Sequence, residues 1–305
     1  MTSEISLFVN PTAGRGRGAD AAGPAARVLR DAGYAVRAVV GEDADDALRR
    51  VREEVEAGTG ALVAVGGDGL VSLALQAVAG TDTPLGVVAA GTGNDFARTL
   101  GLPVRAPGRA AALVADALKS GAGRRIDLGL AGPGTGDERW FGTVLASGFD
   151  SRVNDRGNRM RLPAGRLKYD LAILAELAAF RPVPYRLRLD DGPWLETEAT
   201  LVAVGNGTSY GGGMRICSGA LLDDGLLDVV VVGDCSRRTL LRVFPRVYRG
   251  THVDHPAVTV HRAARVTLEA AGQTGYADGD RVGALPLTAE CRPGAVRVLG
   301  AAAPA

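Results

Sequence analysis

The first third of the chain alternates short apolar runs with longer amphipathic stretches. The runs at 5–9, 34–40, 61–65 and 85–89 have the length and β-branched content of buried strands. Between them, apolar positions at helical spacing predict helices over 20–32, 43–57, 70–79 and 94–101. Gly33 stops the first of these. Acids crowd the first turn of the second and Gly58 follows its end, as the helix dipole and C-cap rules favour. Such strand–helix alternation predicts a parallel sheet covered on both faces, with its ligands beyond the carboxyl ends of the strands.

The pattern changes after about residue 124. Short strands separated by turns are predicted over 126–131, 140–146, 185–189, 196–204, 226–232, 258–260 and 265–269. They predict an antiparallel β-sandwich domain interrupted by one helix over 166–180. The domains expected are therefore an α/β domain at 1–123 and a sandwich at 124–293, with the boundary in the Gly-rich 119–125 segment. The tail 294–305 ends in an Ala/Pro stretch expected to be disordered.

The candidate chemistry sits in the turns. Asn10-Pro11-Thr12-Ala13-Gly14, Gly66-Gly67-Asp68-Gly69 and Gly91-Thr92-Gly93-Asn94-Asp95 all fall at one edge of the predicted sheet. Glycines let a backbone approach phosphate oxygens, and successive N–H groups at a helix start cradle them. A carboxylate beside such a cradle repels phosphate, so it suits a Mg²⁺ ion or an incoming proton. Together these features suggest phosphoryl transfer from a nucleotide. Simpler readings stay open: a strand–helix turn at 10–14, a helix cap at Asp95, a turn acid at Asp127, and hairpin tips at Asp223-Asp224-Gly225 and Asp278-Gly279-Asp280.

Taken in order with Leu222-Asp223-Asp224-Gly225-Leu226-Leu227-Asp228 and Asp278-Gly279-Asp280, the glycine turns resemble the soluble diacylglycerol kinase and lipid kinase family, related to sphingosine and ceramide kinases. The resemblance covers nearly the whole chain. It implies a nucleotide-binding α/β domain, a C-terminal sandwich, an active site in the cleft between them, and ATP, Mg²⁺ and a lipid hydroxyl as reactants.

Residue by residue, the resemblance implies nucleotide contacts from Asn10, Pro11, Thr12, Ala13, Gly14, Gly66, Gly67, Asp68, Gly69, Leu70, Ser72 and Thr92. Leu70 and Ser72 stand where the family usually has Thr and Asn. Asp95 and Asp127 are implied to join Asp68 in a water-mediated network around the catalytic Mg²⁺, an ion that takes few carboxylates and keeps several waters. Asp224, with the carbonyls of Leu221 and Leu226, is implied to hold a second, structural Mg²⁺. Asp280, with Asp68, is implied to take the proton of the lipid hydroxyl, although the family residue at 280 is Glu. The run Asn206-Gly207-Thr208-Ser209-Tyr210-Gly211-Gly212-Gly213 resembles the family's Gly-rich stretch and reads as a cleft-facing loop. The segment 294–300 is implied to return to the first domain.

Composition narrows the alternatives. The 305 residues carry 35 basic and 34 acidic side chains, a net charge of +1, so no global field points to nucleic acid. Cys217, Cys235 and Cys291 show no metal spacing and read as reduced thiols of a cytosolic protein. No signal peptide is recognised and no apolar run suffices for a membrane span. The expected location is cytoplasmic and peripheral, with transient membrane contact. The basic segment 152–188 reads equally as an interfacial element or as a packed helix with solvated flanks. A homodimer is left open. The favoured reading is phosphorylation of diacylglycerol to phosphatidate. The rivals are another lipid acceptor (sphingoid base, ceramide, phosphatidylglycerol) and a lipid- or nucleotide-binding regulator without catalysis.

Overall fold

The computed structural model describes residues 4–10, 17–148 and 182–301. The first domain runs β1 (Glu4–Val9), α1 (Arg17–Asp31), β2 (Ala35–Val39), α2 (Ala44–Glu56), β3 (Leu62–Gly66), α3 (Asp68–Val78), β4 (Leu85–Ala89), α4 (Asp95–Thr99) and α5 (Pro107–Ser120). Its strands are parallel, in the order β2-β1-β3-β4. Every residue of β3 and β4 is buried because both faces are covered. Leu62 and Ala64 meet α2 and α3, while Val63 and Val65 meet α1 and α5. Asp43 accepts the Asp46 amide as the cap of α2.

Helix α5 has no counterpart among the elements predicted from the sequence. Its inner face is largely alanine (Ala110, Ala111, Ala115, Ala117), so its hydrophobic contrast is weak. Pro107 at its first turn and Gly121 at its left-handed end, φ 69°, are the signals that mark it.

The second domain holds β5 (Arg124–Gly132), β6 (Arg139–Phe141), β7 (Val144–Gly148), β8 (Val183–Leu189), β9 (Trp194–Gly205), β10 (Leu227–Gly233), α6 (Arg237–Val247), β11 (Val258–Ala263), β12 (Arg265–Glu269), β13 (Thr274–Ala277), β14 (Asp280–Ala284) and β15 (Leu287–Val298). Its strand pairs are antiparallel. The single strand expected over 140–146 is two strands, broken at Gly142-Thr143. The amides there turn away from any ladder toward the Asp278 carboxylate, at 2.7 and 2.9 Å.

Strand β15 joins the domains. It pairs with β12 and β5, bulges between Arg292 and Val296, and then sets Val298 beside Leu85 of β4 in parallel. Leu299 is buried against α1 and α5. The segment 294–301 is therefore ordered chain. Residues 302–305 and the helix expected over 166–180 lie outside the described residues, as does the basic segment up to residue 181.

Candidate active site

The two central glycine turns touch backbone to backbone. A Cβ on Gly91 would lie 2.4 Å from the Gly67 Cα, so no larger residue fits at 91 without moving the turn. Ala90 donates to the Gly66 carbonyl at 2.8 Å, closing the two strand ends together. Asp68 then reaches across. Its Oδ2 accepts the Asn94 amide at 2.6 Å, and its Oδ1 accepts the Asp95 amide at 2.7 Å and the Phe96 amide at 3.4 Å. It serves as the anionic cap of α4 from a different loop, satisfying amides that a helix start leaves without partners. Asn94 takes the left-handed conformation, φ 57°, and its side chain closes the turn onto the Gly91 amide and carbonyl.

Asp95 is buried next to Asp68. Both carboxylates face Gly93, whose missing Cβ leaves them room. Asp95 Oδ2 accepts the Gly212 amide at 2.7 Å, while its Oδ1 is buried and has no partner. Burial first, and then the Asp68 charge, push the Asp95 carboxyl up to about 6, against the amides of Gly212 and Gly213 and the Arg98 charge. Gly211, Gly212 and Gly213 all have positive φ, and this curls the loop so that its amides point at Asp95. An ionised carboxylate oxygen with no donor beside a second carboxylate and a glycine turn fits a Mg²⁺ ion. Asp95 Oδ1 and Asp68 are the groups that would hold it.

The acidic hairpin divides its two carboxylates. Asp278 and Gly279 form a two-residue turn between β13 and β14, both at positive φ (51° and 90°). The Asp278 carboxylate accepts the Gly142, Thr143 and Val144 amides and the Thr143 hydroxyl, so it fastens the hairpin to the β6–β7 break. Burial raises its pKa, and these donors oppose that. Asp280 Oδ2 accepts from Arg139 at 2.5 Å and from the Ser72 hydroxyl at 3.2 Å. Its Oδ1 has no partner among the described residues. Arg139, on β6, has no family motif to mark it and is absent from the sequence reading.

Two of the expected metal ligands have other partners in the structure. Asp127 makes its hydrogen bonds away from Asp68 and Asp95. Its carboxylate accepts the Gly225 amide at 2.7 Å and the Gly294 amide at 2.8 Å, which ties the 223–225 turn to the bulge of β15. The second cation site also fails to fit. Asp224 Oδ1 accepts the Leu226 amide at 3.0 Å, and its Oδ2 is ion-paired with Arg262, which also donates to Asp228 at 3.1 Å. A guanidinium stands where a metal would need that oxygen. Among the described residues, no group of three or more His, Cys, Asp or Glu is placed to hold a metal. His252 is buried with its ring against the Ile216 carbonyl. The three cysteines are free thiols.

The Asp68–Asp95 pair and the Asp278-Gly279 turn line a cavity of about 470 Å³ between the domains. One wall holds Asp68, Ser72, Thr92, Gly93 and Asp95; the other holds Thr143, Tyr210, Gly212, Tyr248, Tyr276 and Asp278. Thr92 accepts from Arg17 at 3.4 Å. Gly66, Gly67 and Leu70 form the adjoining turn, where Leu70 packs beneath Gly66. Asn10 follows β1 directly, and Pro11, Thr12, Ala13 and Gly14 lie outside the described residues.

Comparison with known proteins agrees with this geometry. Residues 4–131 match the diacylglycerol kinase catalytic domain, and residues 143–300 match the YegS C-terminal NAD kinase beta sandwich-like domain. A protein named diacylglycerol kinase from Mycobacterium tuberculosis (strain ATCC 25618 / H37Rv) is 46% identical over 296 residues, 97% of this chain and 94% of that one. The chain belongs to the diacylglycerol kinase family of lipid kinases. A "Probable lipid kinase YegS-like" from Stenotrophomonas maltophilia (strain K279a) is 32% identical over 265 residues, 83% of this kinase and 82% of that protein. The kinase shares its fold with a diacylglycerol kinase structure from Bacillus anthracis str. Sterne (TM-score 0.72, 21% identity, covering 97% and 96% of the two chains). It shares the fold more distantly with an NAD kinase from Archaeoglobus fulgidus in complex with ATP (TM-score 0.55, 14% identity, 98% and 93%). The enzyme phosphorylates an alcohol group.

Proposed function

We propose that this kinase transfers the γ-phosphoryl group of ATP to the free hydroxyl of diacylglycerol, giving phosphatidate and ADP, with Mg²⁺ as cofactor. The observation that carries the proposal is the cleft itself. Its phosphate side is made of glycine turns and the Asp68–Asp95 pair, and its opposite side carries Tyr210, Tyr248 and Tyr276. The 46% identity to a protein named diacylglycerol kinase supports diacylglycerol as the acceptor.

The chain's own groups divide the work. The turns at 66–69 and 91–95 present backbone amides to the phosphates. Asp68 keeps the second turn rigid by holding its amides. Asp280 Oδ1 takes the acceptor's proton as the hydroxyl oxygen bonds to the γ-phosphorus and the bond to ADP breaks. Arg139 and Ser72 fix Asp280 through its other oxygen. Asp95 Oδ1 and Asp68 would hold Mg²⁺, which would supply neutralisation of charge on the transferred group. Most of the acceleration comes from positioning and electrostatics. Because the acceptor resides in a bilayer, the enzyme works at a membrane surface.

The test is transfer of labelled γ-phosphate from ATP with Mg²⁺ onto a panel of lipids in mixed micelles. Diacylglycerol should be the labelled lipid, and Asp68→Ala should abolish the label. Labelling of a sphingoid base, ceramide or phosphatidylglycerol instead would replace the acceptor. ATP binding without transfer to any lipid would favour a binding protein over a catalyst.

A further inference from the structure

Helix α6 is amphipathic in an unusual sense. Leu240, Val243 and Val247 face the sandwich and are buried. The opposite face, at helical spacing, holds Arg238, Leu241, Arg242, Pro245, Tyr248 and Arg249, all exposed. Leu241 is 53% exposed and Tyr248 42%, so two of the few large apolar side chains left in solvent stand on this one face. Between Ser236 and His252 there are five arginines and no acid. Arg246 reaches back to the Thr251 carbonyl and to Asp254. Arg237, Arg238, Arg242 and Arg249 make no side-chain hydrogen bond or ion pair with any described residue, which leaves four unpaired positive charges around Leu241.

A solvated helix on a nearly neutral protein has no folding reason to carry unpaired arginines around an exposed leucine. Arginines flanking apolar side chains match the headgroup layer of an anionic bilayer, where the cations meet phosphates and the apolar tips enter the acyl boundary. The position of the helix adds a second argument. Tyr248, on the same face, lines the cavity that holds Asp68 and Asp95, so the face borders the mouth of the active site.

We propose that α6 is the membrane-docking element of this kinase: its outer face lies on anionic lipid and sets the cavity mouth at Tyr248 against the bilayer that supplies the acceptor. The proposal rests on the lipid-acceptor reading for its purpose, but its binding step is measured separately.

The experiment is co-sedimentation of the full chain with phosphatidylcholine vesicles, with and without one third phosphatidylglycerol, for the wild type, Arg238→Gln/Arg242→Gln and Leu241→Asp. The wild type should bind the anionic vesicles and not the neutral ones. Each arginine charge near such a surface is worth about fivefold in binding, so the double variant should bind roughly 30-fold more weakly. Leu241→Asp should also lose binding, and both variants should melt close to the wild type because the changed side chains stand on the exposed face of the helix. Phosphorylation of a water-soluble short-chain diacylglycerol should be unchanged, while that of vesicle-borne diacylglycerol should fall.

Wild-type-like binding by both variants, or equal binding to neutral vesicles, would overturn the proposal. So would equal loss of turnover on the soluble and the vesicle-borne acceptor. Retention on heparin through the same arginines with no vesicle binding would reassign the face to a polyanionic macromolecule. If the wild type binds anionic vesicles through α6 but phosphorylates neither acceptor, the docking proposal stands and the diacylglycerol reading fails.

Discussion

Arg139 donates to Asp280 Oδ2 at 2.5 Å, and Ser72 shares the same oxygen at 3.2 Å. The pair stands where this chain departs from the lipid kinase pattern, with Ser in place of Asn and Asp in place of Glu. The shorter carboxylate is held from the side by an arginine that the motifs do not include. Asp280→Asn should lower kcat for lipid phosphorylation by about 10²–10⁴, the range expected for a lost general base. Arg139→Ala should lower kcat by about tenfold or more and leave KM for ATP unchanged, and Arg139→Lys should recover part of it. Initial rates at saturating ATP check both. Wild-type kcat in Asp280→Asn would remove Asp280 from the reaction.

Asp68 accepts the amides of Asn94, Asp95 and Phe96. Asp68→Ala leaves those donors without their partner at the start of α4. A loss of about 1–3 kcal/mol of stability is expected together with loss of transfer. Asp68→Asn keeps one acceptor oxygen but sets an NH2 against the other amides, so it should regain only part of the stability and little of the activity. Urea unfolding alongside the phosphate-transfer assay separates the two effects.

Asp95 gives a pH signature. Its carboxyl is raised from 3.8 to about 6, mainly by burial. Between those values the folded protein holds a proton that the unfolded chain has released. Stability therefore falls as pH rises through this window, and the penalty is complete above about 6. The rise corresponds to at most about 3 kcal/mol. Asp95→Asn should be more stable than the wild type at pH 8, with the gain shrinking toward pH 4. Urea midpoints measured across that range check it. Millimolar Mg²⁺ should raise the wild-type midpoint at pH 8 by more than that of the variant.

Arg262 is the internal cation of the 223–228 turn, paired with Asp224 and Asp228. Asp228 is nearly buried, while Arg262 is 43% exposed and screened by solvent. Removing the arginine as Arg262→Ala should therefore cost about 1–3 kcal/mol. The variant should also gain a Mg²⁺-dependent rise in melting temperature, and keep it when Asp95 is Asn. Thermal melts with and without Mg²⁺ measure this increment. No gain would mean that the freed carboxylates do not accept a divalent ion.

Much of this was readable along the chain because it is local. The strands at 5–9, 61–65 and 85–89 announce themselves by continuous apolar runs, and the turns by glycines at fixed offsets, including the Asp278-Gly279 hairpin. Helix α5 was not readable by the same logic, since an alanine face gives little periodic contrast. Nor were β13, β14 and β15, whose mixed composition becomes strand only through pairing: β13 with β7 and β14, β15 with β12 and β5. Helix α6 carries a weak signal because its arginines obscure the buried stripe of Leu240, Val243 and Val247.

By itself the sequence determined the order of the α/β and sandwich parts and the glycine turns, and it singled out Asp68, Asp95 and Asp280 as candidates, because propensity and motif act over a few neighbouring residues. Tertiary structure alone decided which carboxylates meet. Asp127 looks like a partner of Asp68 in the motif order, yet it is spent on the amides of Gly225 and Gly294. Arg139 and Arg262 look like solvated charges, yet each is the cation of a carboxylate more than thirty residues away in sequence. Coulombic and hydrogen-bond partners are set by distance in space, and the strand pairings that close those distances join segments that no local pattern connects.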